Sequence, residues 1–214
     1  MVKLMAEIID IIFPSPYRKE EEAFIHMAER LGISSLCFVD STADLSALQK
    51  TAGITLYSGT TNPNMMLKKA ALRIVSPGEG ARHVLEKTMV DIVFDVEQVQ
   101  GQDLARQRRS GLNHIIAGIA AARQKHIGFS FHSLLSCSGI KRSQLLGRMQ
   151  QNVILCRKYK TGMVLASFAT TPMEMRAPRD LLAVGQLMGM TAGEAKLAIE
   201  AAGSIVQRNK SSEK

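Results

Sequence analysis

Residues 127–168 read IGFSFHSLLSCSGIKRSQLLGRMQQNVILCRKYKTGMVLASF. The apolar run Ile127–Phe131 predicts a strand. Leu145, Leu146, Met149, Val153 and Cys156 recur at helical spacing and predict a helix over Arg142–Tyr159. Met163–Phe168 is a second apolar run. A strand, a long helix and a strand in close succession make a parallel pair joined by a right-handed crossover.

The same alternation repeats outward from this unit. Toward the N-terminus, strands are predicted at Glu7–Phe13, Leu36–Val39, Ile54–Tyr57, Leu72–Val75 and Val90–Phe94. Ser15-Pro16 offers a cap and a first helical position for a helix ending at Gly32, and Ser41-x-x-Asp44 has the form of a capping box. Pro77-Gly78-Glu79-Gly80 opens a further helix but lacks the glycine-lysine pattern of a phosphate-binding loop. Asn62–Ala70 reads equally as loop or helix, and a helix is expected over about Leu112–Gln124. Toward the C-terminus, Pro178 starts a helix that Gly189 ends, and Thr191-x-x-Glu194 caps the last one. The strands are continuous apolar runs, as in strands buried on both faces. The expectation is one α/β domain over residues 1–209, a TIM-barrel-like parallel (β/α) barrel, incomplete at about seven strands, with residues 210–214 as a fraying tail. A doubly wound open sheet is the alternative.

The charge is unevenly placed. Of a formal net charge of +8, residues 96–160 hold 11 basic and 2 acidic side chains, whereas residues 1–95 hold 10 and 12. Concentrated positive charge is the footprint of a polyanionic partner. Three groups stand out. Arg106, Arg108 and Arg109 fall in a loop before the Ser110-Gly111 helix start. Arg148 and Lys158 fall opposite the apolar face of the 142–159 helix, with Arg157 nearer its buried boundary. Arg176 and Arg179 flank Pro178 after the seventh strand. For each group the plainer alternative is a solvated or structural cation. With no Trp, three Tyr and seven Phe, mostly in strands, phosphate and shape recognition are favoured over base stacking.

Hydrolytic metal centres need several convergent ligands. The five histidines, His26, His83, His114, His126 and His132, are scattered, and only His132 falls at a predicted strand end. Asp10, Asp40 and Asp95 lie in or at the ends of strands and are read as helix caps or partners of arginine. Cys37, Cys137 and Cys156 form no C-x-x-C pair and are read as free thiols. No cofactor is expected for the chain itself. The longest uncharged apolar stretch, Ile115–Ala122, is too short for a bilayer, and Glu7 and Asp10 interrupt the apolar N-terminus, so a cytoplasmic protein without membrane attachment is expected.

Several phrases in order carry a family likeness: Arg109-Ser110-Gly111-Leu112-Asn113-His114, Ile127-Gly128-Phe129-Ser130-Phe131, Leu145-Leu146-Gly147-Arg148-Met149, Leu155-Cys156-Arg157-Lys158-Tyr159-Lys160, Arg176-Ala177-Pro178-Arg179-Asp180-Leu181 and Leu187-Met188-Gly189-Met190. Over about residues 90–206 the chain resembles the eukaryotic and archaeal ribonuclease P protein component 3 family. The resemblance implies a barrel of the polymerase and histidinol phosphatase type. It implies assembly with ribonuclease P RNA, the component 2 protein and other subunits, to remove the 5′ leader of precursor tRNA, with Mg2+ serving the catalytic RNA. Metal-dependent phosphoesterases of that fold place His-x-His at the end of the first strand, where this chain has Ile11-Ile12-Phe13-Pro14. Met173 stands where the family often carries an aromatic residue. The competing expectations are a stand-alone metal-dependent phosphoesterase and a barrel enzyme acting on a small phosphorylated molecule.

Overall fold

The computed structural model describes residues 7–15, 17, 20–62, 70–99, 101, 103 and 108–212. Seven strands run in chain order: β1 (Ile9–Ile12), β2 (Ser35–Val39), β3 (Thr55–Thr60), β4 (Leu72–Val75), β5 (Ile92–Phe94), β6 (His126–Ser130) and β7 (Gly162–Ala166). Every neighbouring pair is parallel. Around them lie α1 (Glu21–Leu31), α2 (Leu45–Leu48), α3 (Ala81–Lys87), α4 (His114–Ala122), α5 (Phe131–Leu135), α6 (Gly139–Tyr159), α7 (Pro178–Leu187) and α8 (Ala192–Ser212).

The sheet curls until its edges meet. Ile12 and Ala169 form a single parallel bridge, and the Phe13 N–H donates to the Ala169 carbonyl at 2.8 Å. Below that bridge the Asp10 side chain takes the place of a ladder. Its carboxylate accepts from the Ser167 N–H at 2.7 Å and the Ser167 hydroxyl at 2.6 Å, all of it buried. Burial pushes the Asp10 carboxyl up to about 6, against the pull of those bonds. This is the nearly closed seven-stranded barrel that the sequence predicts.

Alternate strand residues divide inside from outside. Ile9, Ile11, Cys37, Val39, Leu72, Ile74, Ile92, Val164 and Ala166 share the inner cluster. Val93, Ile127, Phe129 and Leu165 instead pack with the helices, in a cluster that includes Leu145, Met149, Val153 and Cys156 of α6. The last helix seals the gap between first and last strands. Ala202, Ile205 and Val206 of α8 join the inner cluster, and Asn209 reaches the Ala71 carbonyl at 3.1 Å, at the N-terminal end of β4. The approach needs Gly203, where a Cβ would sit 2.0 Å from the Glu7 carbonyl oxygen.

Several local readings differ. α4 begins at His114 under the Asn113 cap, so Ser110-Gly111 is not a helix start. α1 begins at Glu21 rather than after Ser15, because its buried positions begin only at Phe24; Pro16 lies outside the described residues. Asp44 is the cap of α2, accepting from the Ser46 and Ala47 N–H groups, so the Ser41 start is displaced by three residues. Phe131 opens α5 instead of ending β6, because the Ser130 hydroxyl caps the turn at Ser133 N–H. Lys210, Ser211 and Ser212 are helical, so the proposed tail begins too early. The Thr191–Glu194 capping box forms as expected, with bonds of 3.2 and 2.8 Å. Most of the ambiguous 62–70 stretch lies outside the described residues.

Candidate nucleic-acid interface

The C-terminal ends of barrel strands are where such folds place their chemistry. Here that mouth is packed with aromatic rings. Phe13, Phe94 and Phe168 follow or end β1, β5 and β7, with centroids 4.7 to 6.2 Å apart. The polar groups on the rim are held locally. Asp40 binds the Thr61 N–H and hydroxyl, and Asp95 accepts from the Ser133 hydroxyl at 2.6 Å. Asp10 and Asp40 thus pair with hydroxyls and backbone N–H groups, and Asp95 with the Ser133 hydroxyl and the Gln98 side chain of the 3-10 turn that follows it, rather than with arginines. His132 Nδ1 lies 3.0 Å from Glu174, whose carboxylate also accepts from the Thr170 N–H at 2.7 Å. Among the described residues no three His, Cys, Asp or Glu side chains converge as metal ligands. Cys37, Cys137 and Cys156 are free thiols.

The chain leaves β5 through Asp95, at φ 56°, into a 3-10 turn over Val96–Gln98, and the described residues that follow, Val99, Gly101, Asp103 and 108–111, lie against α6. Arg148 organises them. Its guanidinium donates to the carbonyls of Glu97, Val99 and Gly101 at 3.1, 3.0 and 2.8 Å, and pairs with Asp103 at 2.8 Å. One turn on, Gln151 grips both the N–H and carbonyl of Arg108 and the Ser110 hydroxyl. Asn152 donates to the Ser110 carbonyl at 2.9 Å. The segment returns to its origin at Gly111, with φ 71°, where a Cβ would sit 1.7 Å from the Val96 carbonyl oxygen.

Glu97 is completely buried in this clasp. Burial first, and the Asp95 charge second, push its carboxyl up to about 8, against Asn152 and Arg148. Glu97 Oε1 and Asn152 Oδ1 both lack a hydrogen-bond partner. These two buried acceptor atoms without donors disfavour the charged form of Glu97.

The predicted basic groups separate on this framework. Arg106 lies outside the described residues. Arg108 is an exposed residue whose guanidinium bonds the Gly147 carbonyl at 2.8 Å. Arg109 is exposed, and its guanidinium packs on Gly101. Arg148 is 6 % exposed, which corrects its placement on a solvated face. The helical wheel is sound, but Glu97, Val99, Gly101 and Asp103 cover α6 at Arg148. Lys158 is exposed, its ammonium 5.6 Å from the Tyr159 ring centroid. Arg157 is not at a buried boundary; it forms an exposed bidentate pair with Glu194, both contacts 2.7 Å. Arg176 is half-buried, bonded to the Met173 and Met175 carbonyls and lying over the Phe131 ring, whereas Arg179 is exposed.

A family model described as RNase P subunit p30 matches residues 8–214. The chain belongs to that family. Its curated p30-type relatives include the ribonuclease P protein component 3 of Methanosarcina acetivorans, 35% identical over 118 residues, or 55% of this chain and 46% of that protein. The component 3 protein of Thermococcus kodakarensis is 37% identical over 89 residues, covering 42% of this chain and 40% of its own length. These matches span about half the length of the relatives or less. A chain in a cryo-electron microscopy structure of archaeal ribonuclease P with mature tRNA has the same fold, with TM-score 0.75 at 22% identity over 94% of this chain and 91% of that one. Among the described residues of this p30 chain, no helix is long and apolar enough to cross a membrane.

One cluster in the p30 chain is brought together only by the fold. Arg73, Arg123, Lys125 and Arg208 gather near Asp91 at the N-terminal end of the barrel. No signal in a single sequence links positions so far apart.

Proposed function

We propose that this chain is a ribonuclease P protein subunit of the component 3 type. It binds and shapes a catalytic RNA that removes the 5′ leader from precursor tRNA, together with a component 2 protein and further subunits, in the cytoplasm. The observation that carries this reading is the family match over residues 8–214.

Two physical features support it. The barrel mouth is filled with phenylalanine, and its rim carboxylates are engaged by hydroxyls and backbone N–H groups. The exposed cations Arg108, Arg109, Lys158 and Arg179 stand outside it, Lys158 on α6 and Arg179 on α7. Cations placed in this way offset the mutual repulsion of RNA phosphates, the work otherwise done by Mg2+ at high concentration. The chain contributes charge and shape, and the RNA with its Mg2+ contributes the chemistry.

Reconstitution tests the reading. Precursor tRNA cleavage is measured with ribonuclease P RNA and component 2 of Methanosarcina acetivorans, with and without this chain, across a Mg2+ titration. The expected result is faster cleavage and a lower Mg2+ requirement when the chain is present. No stimulation at any Mg2+ concentration would sink the proposal. Cleavage by the chain and Mg2+ without RNA would replace it with a stand-alone phosphoesterase.

A further inference from the structure

The cluster at the N-terminal end of the barrel holds more positive charge than its structural task requires. Asp91 precedes β5 and is 3 % exposed. It ties three elements together, accepting from the Arg73 N–H at 2.9 Å and from Asn209 at 3.2 Å. The guanidinium groups of Arg73 and Arg208 flank it at 3.8 and 3.7 Å. One carboxylate neutralises one cation, yet Arg208 also donates to the Gln124 carbonyl at 3.2 Å, which sets its guanidinium beside Arg123 and Lys125 in the same field. Burial lowers the proton affinity of Lys125, and Arg208, Arg73 and Arg123 lower it further against the pull of Asp91. Glu86, whose carboxylate feels the Arg123 charge, is already held by Arg82 at 2.9 Å. The field also reaches His126, which burial, Arg208 and Lys125 push down to about 4.

Fixed like charges that repel one another destabilise an isolated chain unless a counter-charge arrives. The arrangement suits a polyanionic strand better than a small phosphate ester. Arg123 is exposed and the Arg208 side chain is 39% exposed, so the cations spread over the ends of β4, α4 and α8 as an open face. Three of the four are arginines, whose planar forks match phosphate oxygens.

We propose that this N-terminal barrel face is a second RNA-binding surface, which takes the phosphate backbone of the catalytic RNA across Arg73, Arg123, Lys125 and Arg208. It rests on the functional reading above and adds a site to it. Arg108 lies elsewhere, over the middle of α6, with its guanidinium on the Gly147 carbonyl. Cations at these two places let the chain bridge two stretches of RNA.

The test is a salt titration of the affinity between the full chain and ribonuclease P RNA of Methanosarcina acetivorans. The Arg123→Gln/Lys125→Gln double variant leaves the Asp91 strut intact. It is expected to weaken binding several-fold and to reduce the log–log salt slope by roughly one to two. Asp91→Asn removes the internal counter-charge, so RNA binding is expected to tighten and its salt slope to steepen even though the variant melts lower. A purely structural cluster would show the lower melting temperature alone. An unchanged slope in a folded double variant overturns the inference. So does loss of binding to the component 2 protein with RNA affinity intact, which would make the face a protein-docking surface. If the unmodified chain binds this RNA no better than a control RNA, the functional reading itself fails. If it binds well and the double variant equals it, only the second surface fails.

Discussion

Glu97 and Glu194 show how one residue type acquires opposite pH dependence from its surroundings. Buried Glu97 titrates up to about 8 in the folded chain, against about 4.5 for an ordinary glutamate. Its contribution to stability is complete below the ordinary value and is lost as pH rises through about 8. Glu97→Gln, which cannot ionise, is therefore expected to melt higher than the unmodified chain at pH 8 to 9 and to flatten the alkaline decline; thermal melts across pH measure this. Equal alkaline slopes in the two proteins would contradict it. Glu194 is held down to about 2, chiefly by the Arg157 guanidinium. Its contribution is present above the ordinary carboxylate range and is lost as pH falls toward about 2. Arg157→Ala is expected to lower the melting temperature at neutral pH by a small amount, with the difference vanishing in acid. Neither behaviour is legible in the sequence. Glu97 looks like any surface glutamate until the chain folds back over it, whereas Glu194 announces itself through its capping-box spacing from Thr191.

At the scale of elements, α6 and the 96–111 segment form a clasp. The sequence identifies the face of α6 that meets the barrel, since Leu145, Met149, Val153 and Cys156 are all buried. It misplaces the other face because hydrophobic periodicity reports burial against apolar partners only. Arg148 and Asn152 are buried against backbone carbonyls, which leave no apolar trace in the sequence. Arg148→Met is expected to destabilise the chain by about 3 kcal/mol or more, since it leaves three carbonyls without the guanidinium and Asp103 without its charged partner. Hydrogen exchange should quicken selectively over residues 96–111 while the strands keep their protection. Uniform loss of protection would show that the clasp is not a separate unit. Because Arg108 and Arg109 ride on this segment, the same variant should weaken RNA binding more than replacement of either arginine alone.

For the whole molecule, strand number and direction were legible, because each strand is an apolar run bounded by turns and each helix shows its own period. Closure was not. It depends on Asp10 replacing a missing ladder and on Gly203 letting α8 approach the Glu7 carbonyl, both contacts between opposite ends of the chain. Gly203→Ala is expected to cost roughly 1 to 3 kcal/mol through the displaced backbone, despite the better helix propensity of alanine. Chemical denaturation measures it, and a stabilised variant would show that α8 can move away freely. The candidate site was legible only in part for a related reason. Charge runs such as Arg106–Arg109 are local and visible, whereas Arg73, Lys125 and Arg208 become neighbours only when the barrel closes. The phenylalanine stack has a further consequence. Phe13, Phe94 and Phe168 pack in the same inner cluster as Ile205 and Val206 of α8, so the described interior of the barrel is filled by its own side chains. Substitutions there answer to stability. Phe94→Leu should lower the melting temperature and leave stimulation of RNA cleavage intact, because traffic with partners passes over the outer skin.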